Sequence, residues 1–339
     1  MSVATGFRVQ RATSASRAGG VVALALFVFL ATFPAWADAG WMRECNEIAC
    51  YLIFAMMWNL LAGYGGMVSI GQQAFLGLGG YALLVMGNFL GVNPFVAVPL
   101  AALFTMLVAL PVSVVAFRLQ GGYFAIGTWV IAEVFRLSIA NVSAVGGGSG
   151  TSFTALRGIE KATRVSLTFW LCLVSAFASV ALVYLFLRSR NGLALLAIRD
   201  SEVAAESQGV NVQGTKRAVY LVAAFGAGLA GALYFLGNLR ISPDAAFAVN
   251  WTAFSIFIVL IGGIGTIEGP IVGVLLFYLL NKFFSDYGTW YLVGLGGLAI
   301  VVTLWFPRGL WGWVSQRYDL HFFPVQRKLM LGDDRKTEE

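Results

Sequence analysis

Apolar runs of bilayer length recur from one end of this 339-residue chain to the other. A hydrocarbon core about 30 Å thick is crossed by about 20 mostly apolar helical residues. Lipid offers the backbone no hydrogen-bond partner, so each such run has to be a helix that satisfies its own peptide groups. The runs fall near 21–37, 48–63, 67–90, 94–117, 122–140, 166–187, 217–238, 250–265, 268–285 and 290–306. Nothing between them is long enough for a soluble domain, and charged residues make up 11% of the chain against about 25% in soluble domains. The expected fold is an all-α polytopic membrane protein of about ten transmembrane helices. The run 67–90 is glycine-rich with polar interruptions, which predicts a broken or tilted helix.

Charge asymmetry orients such a chain, because Lys and Arg concentrate on the cytoplasmic side. Placing the N-terminus inside puts 15 of the 22 Lys and Arg on the inner side and seven on the outer. The net charge of +6 is therefore a matter of topology, not of nucleic-acid binding. The expected organisation is an N-terminal cytoplasmic segment 1–20, a transmembrane unit 21–306 and a cytoplasmic tail 307–339, with a cytoplasmic segment 188–216 after the sixth span. The first run also resembles a secretory signal cleaved after Ala37; a retained first helix is the preferred reading, and the rest of the topology holds either way.

Few residues offer chemistry. His321 is the sole histidine and lies in a basic, aromatic tail, so no histidine metal centre and no catalytic constellation is expected. Cys172 reads as a small core residue; Cys45 and Cys50 could pair at a membrane face.

Four stretches stand out. "NGLALLAIRDSEVAAESQGVNVQGTKR" (191–217) is too polar for lipid. Its "SEVAAESQ" has helix formers behind a Ser–Glu start, with Gly209 as a C-cap, so a short surface helix is expected. Gly209 and Gly214 have phosphate-loop spacing, but Thr215 precedes Lys216 and no strand comes before them, which excludes a nucleotide site. "GYGGMVSIGQQAFLGLGGYALL" (63–84) places Ser69, Gln72 and Gln73 in an apolar run; they face protein as interhelical glue or line a wet path. In "GGYFAIGTWVIAEVFRLSIANVSAVGGGSGTSF" (121–153), Glu133 and Arg136 share a helical face, as a structural ion pair or beside the path, with Thr128 a further lining candidate. Its "GGGSG" is expected to be a flexible outer loop. In "LIGGIGTIEGPIVGVLL" (260–276), Glu268 opens a helix, where the macrodipole favours an anion.

Taken in order, "NLLAGYGGMVSIGQQAFLGLGGYALL", "GGYFAIGTWVIAEVFR", "GGGSG", "NGLALLAIRDSEVAAESQGVNV" leading to "AFGAGLAGALY", and "GGIGTIEGPIVG" resemble the LivM-type permease subunits of branched-chain amino-acid ABC importers, over roughly residues 48–310. The resemblance implies a bacterial inner-membrane location with both termini inside and a LivH-like second permease. It also implies two ATP-binding subunits of the LivG/LivF kind and a periplasmic substrate-binding protein. No cofactor belongs to this chain, since ATP is bound by the partners. Such permeases meet their ATPases through a short cytoplasmic helix with a loose EAA-xxx-G pattern. "VAAESQG" matches it at Ala204, Ala205 and Gly209, with Val203 at the Glu place and Glu202 one place early. Arg199, Asp200, Glu202, Ala204, Ala205 and Gly209 are thus the expected ATPase-coupling residues. Gln72 stands where many relatives have His. The expected substrate is a branched-chain amino acid, with urea or short amides as alternatives. An ion-coupled carrier is the rival mechanism, and Glu133 is the deep acid it would need.

Overall fold

The computed structural model describes residues 7–10, 14–318, 322–324 and 328–331; His321 lies outside them. Fourteen helices follow in order among these residues: α1 (Ser14–Ala31), α2 (Ala39–Asn59), α3 (Gln73–Asn88), α4 (Pro94–Ala116), α5 (Gly122–Ala140), α6 (Lys161–Arg188), α7 (Arg190–Asp200), α8 (Glu202–Ser207), α9 (Val212–Asn238), α10 (Pro243–Ala246), α11 (Val249–Gly262), α12 (Glu268–Phe284), α13 (Thr289–Trp305) and α14 (Gly309–Tyr318). Two short antiparallel pairs complete the fold. Phe7–Gln10 (β1) pairs with Lys328–Leu331 (β4), and Thr151–Ser152 (β2) with Arg240–Ile241 (β3).

Each of the ten apolar runs contains a helix. Among the described residues eight segments are long and apolar enough to cross a bilayer; α3 and α12, of 16 and 17 residues, are shorter. For α3 the reason is local. α2 widens into a π-helical turn at Leu60–Tyr64, and the next residues up to Gln72 are not helical. Most of this break is buried, with Gly66 and Val68 exposed; irregular backbone at membrane depth is tolerated where it is covered by protein or lines a water-filled cavity. Trp58 Nε1 donates to the Ser69 carbonyl at 2.9 Å and so fills part of the bonding that a helix would supply.

α9 is the central post, packed on α2, α3 and α4. Lipid tails are as apolar as leucine, so close van der Waals packing rather than hydrophobicity holds such helices together. The small residues of "AFGAGLAGALY" allow that approach. A Cβ on Gly231 would overlap the Leu76 carbonyl of α3. α1 stands apart on α6, where Phe27 meets Phe177 edge-on at 5.1 Å and Trp170 donates to the Ala31 carbonyl at 3.1 Å.

The "GGGSG" loop (146–150) follows a 3-10 turn at Ser143–Val145, holds a second at Gly147–Ser149 and leads into β2, which closes on β3. All three cysteines are free. The thiol that Cys50 faces is Cys172 of α6, not Cys45, because residues five apart point to different sides of α2.

Candidate functional site

The polar segment after α6 folds as two helices at one end of the bundle. Arg190–Asp200 forms α7, which the sequence reading did not separate from its surroundings. Its Gly192, Leu195 and Ile198 are buried and fasten it to the bundle. The chain turns at Ser201, whose side chain caps α8 by accepting from the Ala204 N–H at 3.3 Å. The far end of α8 closes at Gly209, with left-handed backbone at φ +81°. The Gly209 and Val210 N–H groups return to Glu206 and Ala205 carbonyls at 2.9 and 3.1 Å, as helix C-terminal motifs do. Lys216, in the first turns of α9, pairs with Glu202 and braces the helix from the side.

This bracing decides which face α8 presents. Ala205 is 2% exposed and packs inward against its own chain, whereas Val203 is 80% exposed. Glu202, Ala204, Glu206 and Ser207 are also exposed. Glu202, Val203, Glu206, Val210, Asn211 and Gln120 line a recess of about 390 Å³ beside the helix. Ala205 is therefore the small residue that lets α8 lie flat, and the outward knob is Val203. Asp200 is exposed. Arg199 turns back toward the bundle and donates from Nη1 to the Gly63 carbonyl at 2.8 Å.

The lining candidates divide into two groups. Ser69, Gln72, Gln73 and Thr128 are all 2% exposed or less. Gln73 Oε1 accepts from Thr252 of α11 at 2.5 Å, and Gln72 Nε2 reaches the Ala223 carbonyl of α9 at 3.5 Å. Ser69 Oγ accepts from the Gly71 N–H at 3.3 Å. Thr128 Oγ1 donates to the Ala125 carbonyl at 2.9 Å, and Gly71 lies directly on the Thr128 backbone. Gln72 Oε1 and Gln73 Nε2 have no hydrogen-bond partner among the described residues. Glu133 is different: its side chain is 45% exposed. Both its carboxylate oxygens accept from Arg136 Nε at 3.0 Å, and Arg136 also binds Asp244 of α10 at 2.5 Å. This triad lies toward the C-terminal end of α5, so Glu133 is neither lone nor enclosed. Other acids on membrane helices are more covered, Glu44 of α2 at 35% side-chain exposure among them. Glu268 is 9% exposed and accepts from the Phe323 N–H at 2.9 Å, and Glu47 lies half-buried on α2.

Sequence reading missed Asn59 and Asp244. Asn59 is a lone amide inside "MMWNLL" and is fully buried, a signal of the same kind that singled out Gln72. Asp244 sits in a short polar link, and nothing in the linear order places it against α5.

A bundle of apolar helices, several of them broken or glycine-packed, with a short capped helix held outside one end, defines a multi-pass membrane protein. The chain belongs to the family described as branched-chain amino acid transport system / permease component, which matches residues 45–304. It is similar to the high-affinity branched-chain amino acid transport system permease protein LivM of Escherichia coli K12, at 25% identity over 85% of this chain and 73% of the relative. A probable branched-chain amino acid transport permease protein LivM of Methanocaldococcus jannaschii is 26% identical over 77% of this chain and 90% of its own length. The fructose import permease protein FruG of Bifidobacterium longum is 24% identical over 88% of this chain and 92% of its own. No solved structure matches the chain. Membership in this ABC permease family implies a membrane, ATP-binding partners and a substrate-binding partner.

Proposed function

We propose that the chain is one permease half of an ATP-driven importer of branched-chain amino acids in the bacterial inner membrane. Both termini and α7–α8 are then cytoplasmic, and α8 is the contact with the ATPases. The observation that carries this reading is α8 itself. A six-residue helix capped at both ends and braced by Lys216 is far more ordered than a connecting loop needs. It also exposes an apolar valine between two glutamates. An outward knob on a fixed helix suits insertion into a cleft on a partner.

A LivH-like permease, two LivG/LivF-like ATPases and a periplasmic binding protein complete the assembly. The half-exposed Glu133–Arg136–Asp244 triad supports α5 and α10 as the side that meets the second permease and the wet path, since ion pairs are costly against lipid. The amide oxygen of Gln72, without a partner among the described residues, keeps that residue as a path candidate behind that surface, whereas Gln73 is engaged by Thr252. ATP-driven closure of the ATPases would shift an inward–outward equilibrium by differential affinity for its two states.

The likeness to FruG makes a sugar the specific competing cargo. Co-purification of the tagged chain in mild detergent tests the assembly, and the companion binding protein then reports the cargo. Recovery of ATPases and a binding protein that retains leucine, isoleucine or valine is the expected result. A binding protein that retains fructose instead would move the cargo and leave the mechanism. A chain recovered alone that moves solute without ATP would be an ion-coupled carrier.

A further inference from the structure

At the end of α2 the side chain of Asn59 is fully buried at the point where the helix opens into the Leu60–Tyr64 turn. Its Nδ2 donates to the Thr266 carbonyl at 2.7 Å, and its Oδ1 accepts from the Gly265 N–H at 2.9 Å. One amide thus holds the α11–α12 turn by a donor and an acceptor of adjacent residues, which fixes its orientation. Gly63 makes room for this: a Cβ there would overlap Asn59 Oδ1 and come within 2.7 Å of the Gly265 nitrogen. The Gly63 carbonyl then accepts from Arg199 Nη1 at 2.8 Å. Arg199 also lies against the other side of the clasp, since a Cβ on Gly265 would be 3.5 Å from the same Nη1. Arg199 belongs to the last turn of α7, two residues before the Ser201 cap of α8.

We infer that Arg199 and Asn59 form a strut that makes α8, the α2–α3 break and the α11–α12 turn move as one body. The inference rests on the reading of α8 as the ATPase contact. The two backbone breaks are the places where the bundle can hinge, because a continuous helix cannot bend sharply without such an interruption. Interhelical hydrogen bonds in membrane proteins contribute about 0.6 kcal/mol on average and up to about 1.7. Asn59 makes two of them in one buried amide, so the two breaks do not readily separate. The guanidinium extends that unit to α7. Its rigid planar fork is pre-organised to donate to a fixed carbonyl, which the compact, strongly hydrated ammonium of lysine copies only in part. Displacement of α8 is thereby delivered to Trp58, Ser69 and the start of α3, and to the start of α12, at the same moment. Asn59 and Arg199 are positioning residues in this scheme; neither touches cargo.

The test uses the whole importer purified with its ATPases and reconstituted with its binding protein. Solute moved per ATP hydrolysed is measured for wild type, Arg199→Ala, Arg199→Lys and Asn59→Asp. The Asp variant keeps the acceptor for Gly265 and turns an oxygen toward the Thr266 carbonyl. For Arg199→Ala, a fall of about tenfold or more in solute per ATP, within the usual range of coupling between sites, is expected with ATPase content and hydrolysis near wild type. Arg199→Lys should recover part of the ratio, and Asn59→Asp should lose it. A merely structural role would lower assembly, hydrolysis and uptake together and leave the ratio unchanged. An unchanged ratio in an assembled Arg199→Ala complex would overturn the strut alone. If Arg199→Ala does not accumulate, the ratio for Arg199→Lys decides: below wild type supports the strut, equal to wild type overturns it. Failure of the wild-type chain to retain any ATPase would overturn both the strut and the reading it rests on.

Discussion

At the scale of single residues, burial separates roles that sequence position merges. Ala204 and Ala205 both match the family pattern, yet only Ala205 is turned into its own chain. Ala205→Asp is expected to lever α8 off the bundle and cut ATP-dependent uptake by about tenfold or more, with membrane levels retained. Uptake measured against chain abundance checks this, and normal uptake would show that α8 tolerates displacement. Gln73→Leu removes the bond to Thr252 and is expected to cost about 0.6–1.7 kcal/mol. That appears as a lower melting midpoint in detergent with uptake preserved. A variant that melts like wild type but transports slowly would place Gln73 on the path. The polar positions themselves were legible, because an amide or acid in an apolar run has to be explained. Their partners were not, since the contacts between Gln73 and Thr252, Arg136 and Asp244, and Asn59 and the 265–266 turn join residues that the chain separates widely.

At the scale of elements, the long apolar runs could be located because length and hydropathy alone define a span. The glycines and polar side chains of 67–90 point to a broken or tilted helix; the irregular backbone instead lies ahead of a continuous α3, and its extent depends on Trp58 and Thr128 packing around it, which the sequence does not order in space. α7 went unseen because its charged ends hide a buried strip of Gly192, Leu195 and Ile198. Two substitutions probe elements directly. Gly209→Ala meets no atom within 4 Å, so its effect is confined to the backbone. Holding alanine in a left-handed conformation costs about 1–2 kcal/mol. Fraying of α8 by that amount is expected to weaken retention of the ATPases by about five- to thirtyfold, read as their yield after washing in detergent. Gly231→Leu, by contrast, would drive a side chain into the Leu76 carbonyl and part α9 from α3, so the chain is expected not to accumulate in the membrane. Accumulation at wild-type level would contradict the placement of α9 as the central post.

At the scale of the whole molecule, one end of the bundle gathers everything that could pass motion from outside to inside the helices. The α2–α3 break, the α11–α12 turn, α7, α8 and α14 meet there. A reporter fused after Arg199 is expected to read as cytoplasmic, and a periplasmic signal at that site would invert the topology. The opposite end carries the β2–β3 pair and the Arg136 triad, which the proposed topology turns toward the binding protein. The most direct measurement is ATP-dependent leucine uptake by proteoliposomes holding this chain with its companion permease, ATPases and binding protein. Uptake that needs ATP inside the ATPase compartment, needs the binding protein on the opposite face and is lost when α8 is displaced is the expected result. Leucine uptake that continues without ATP or without the ATPases would contradict the importer reading at its root.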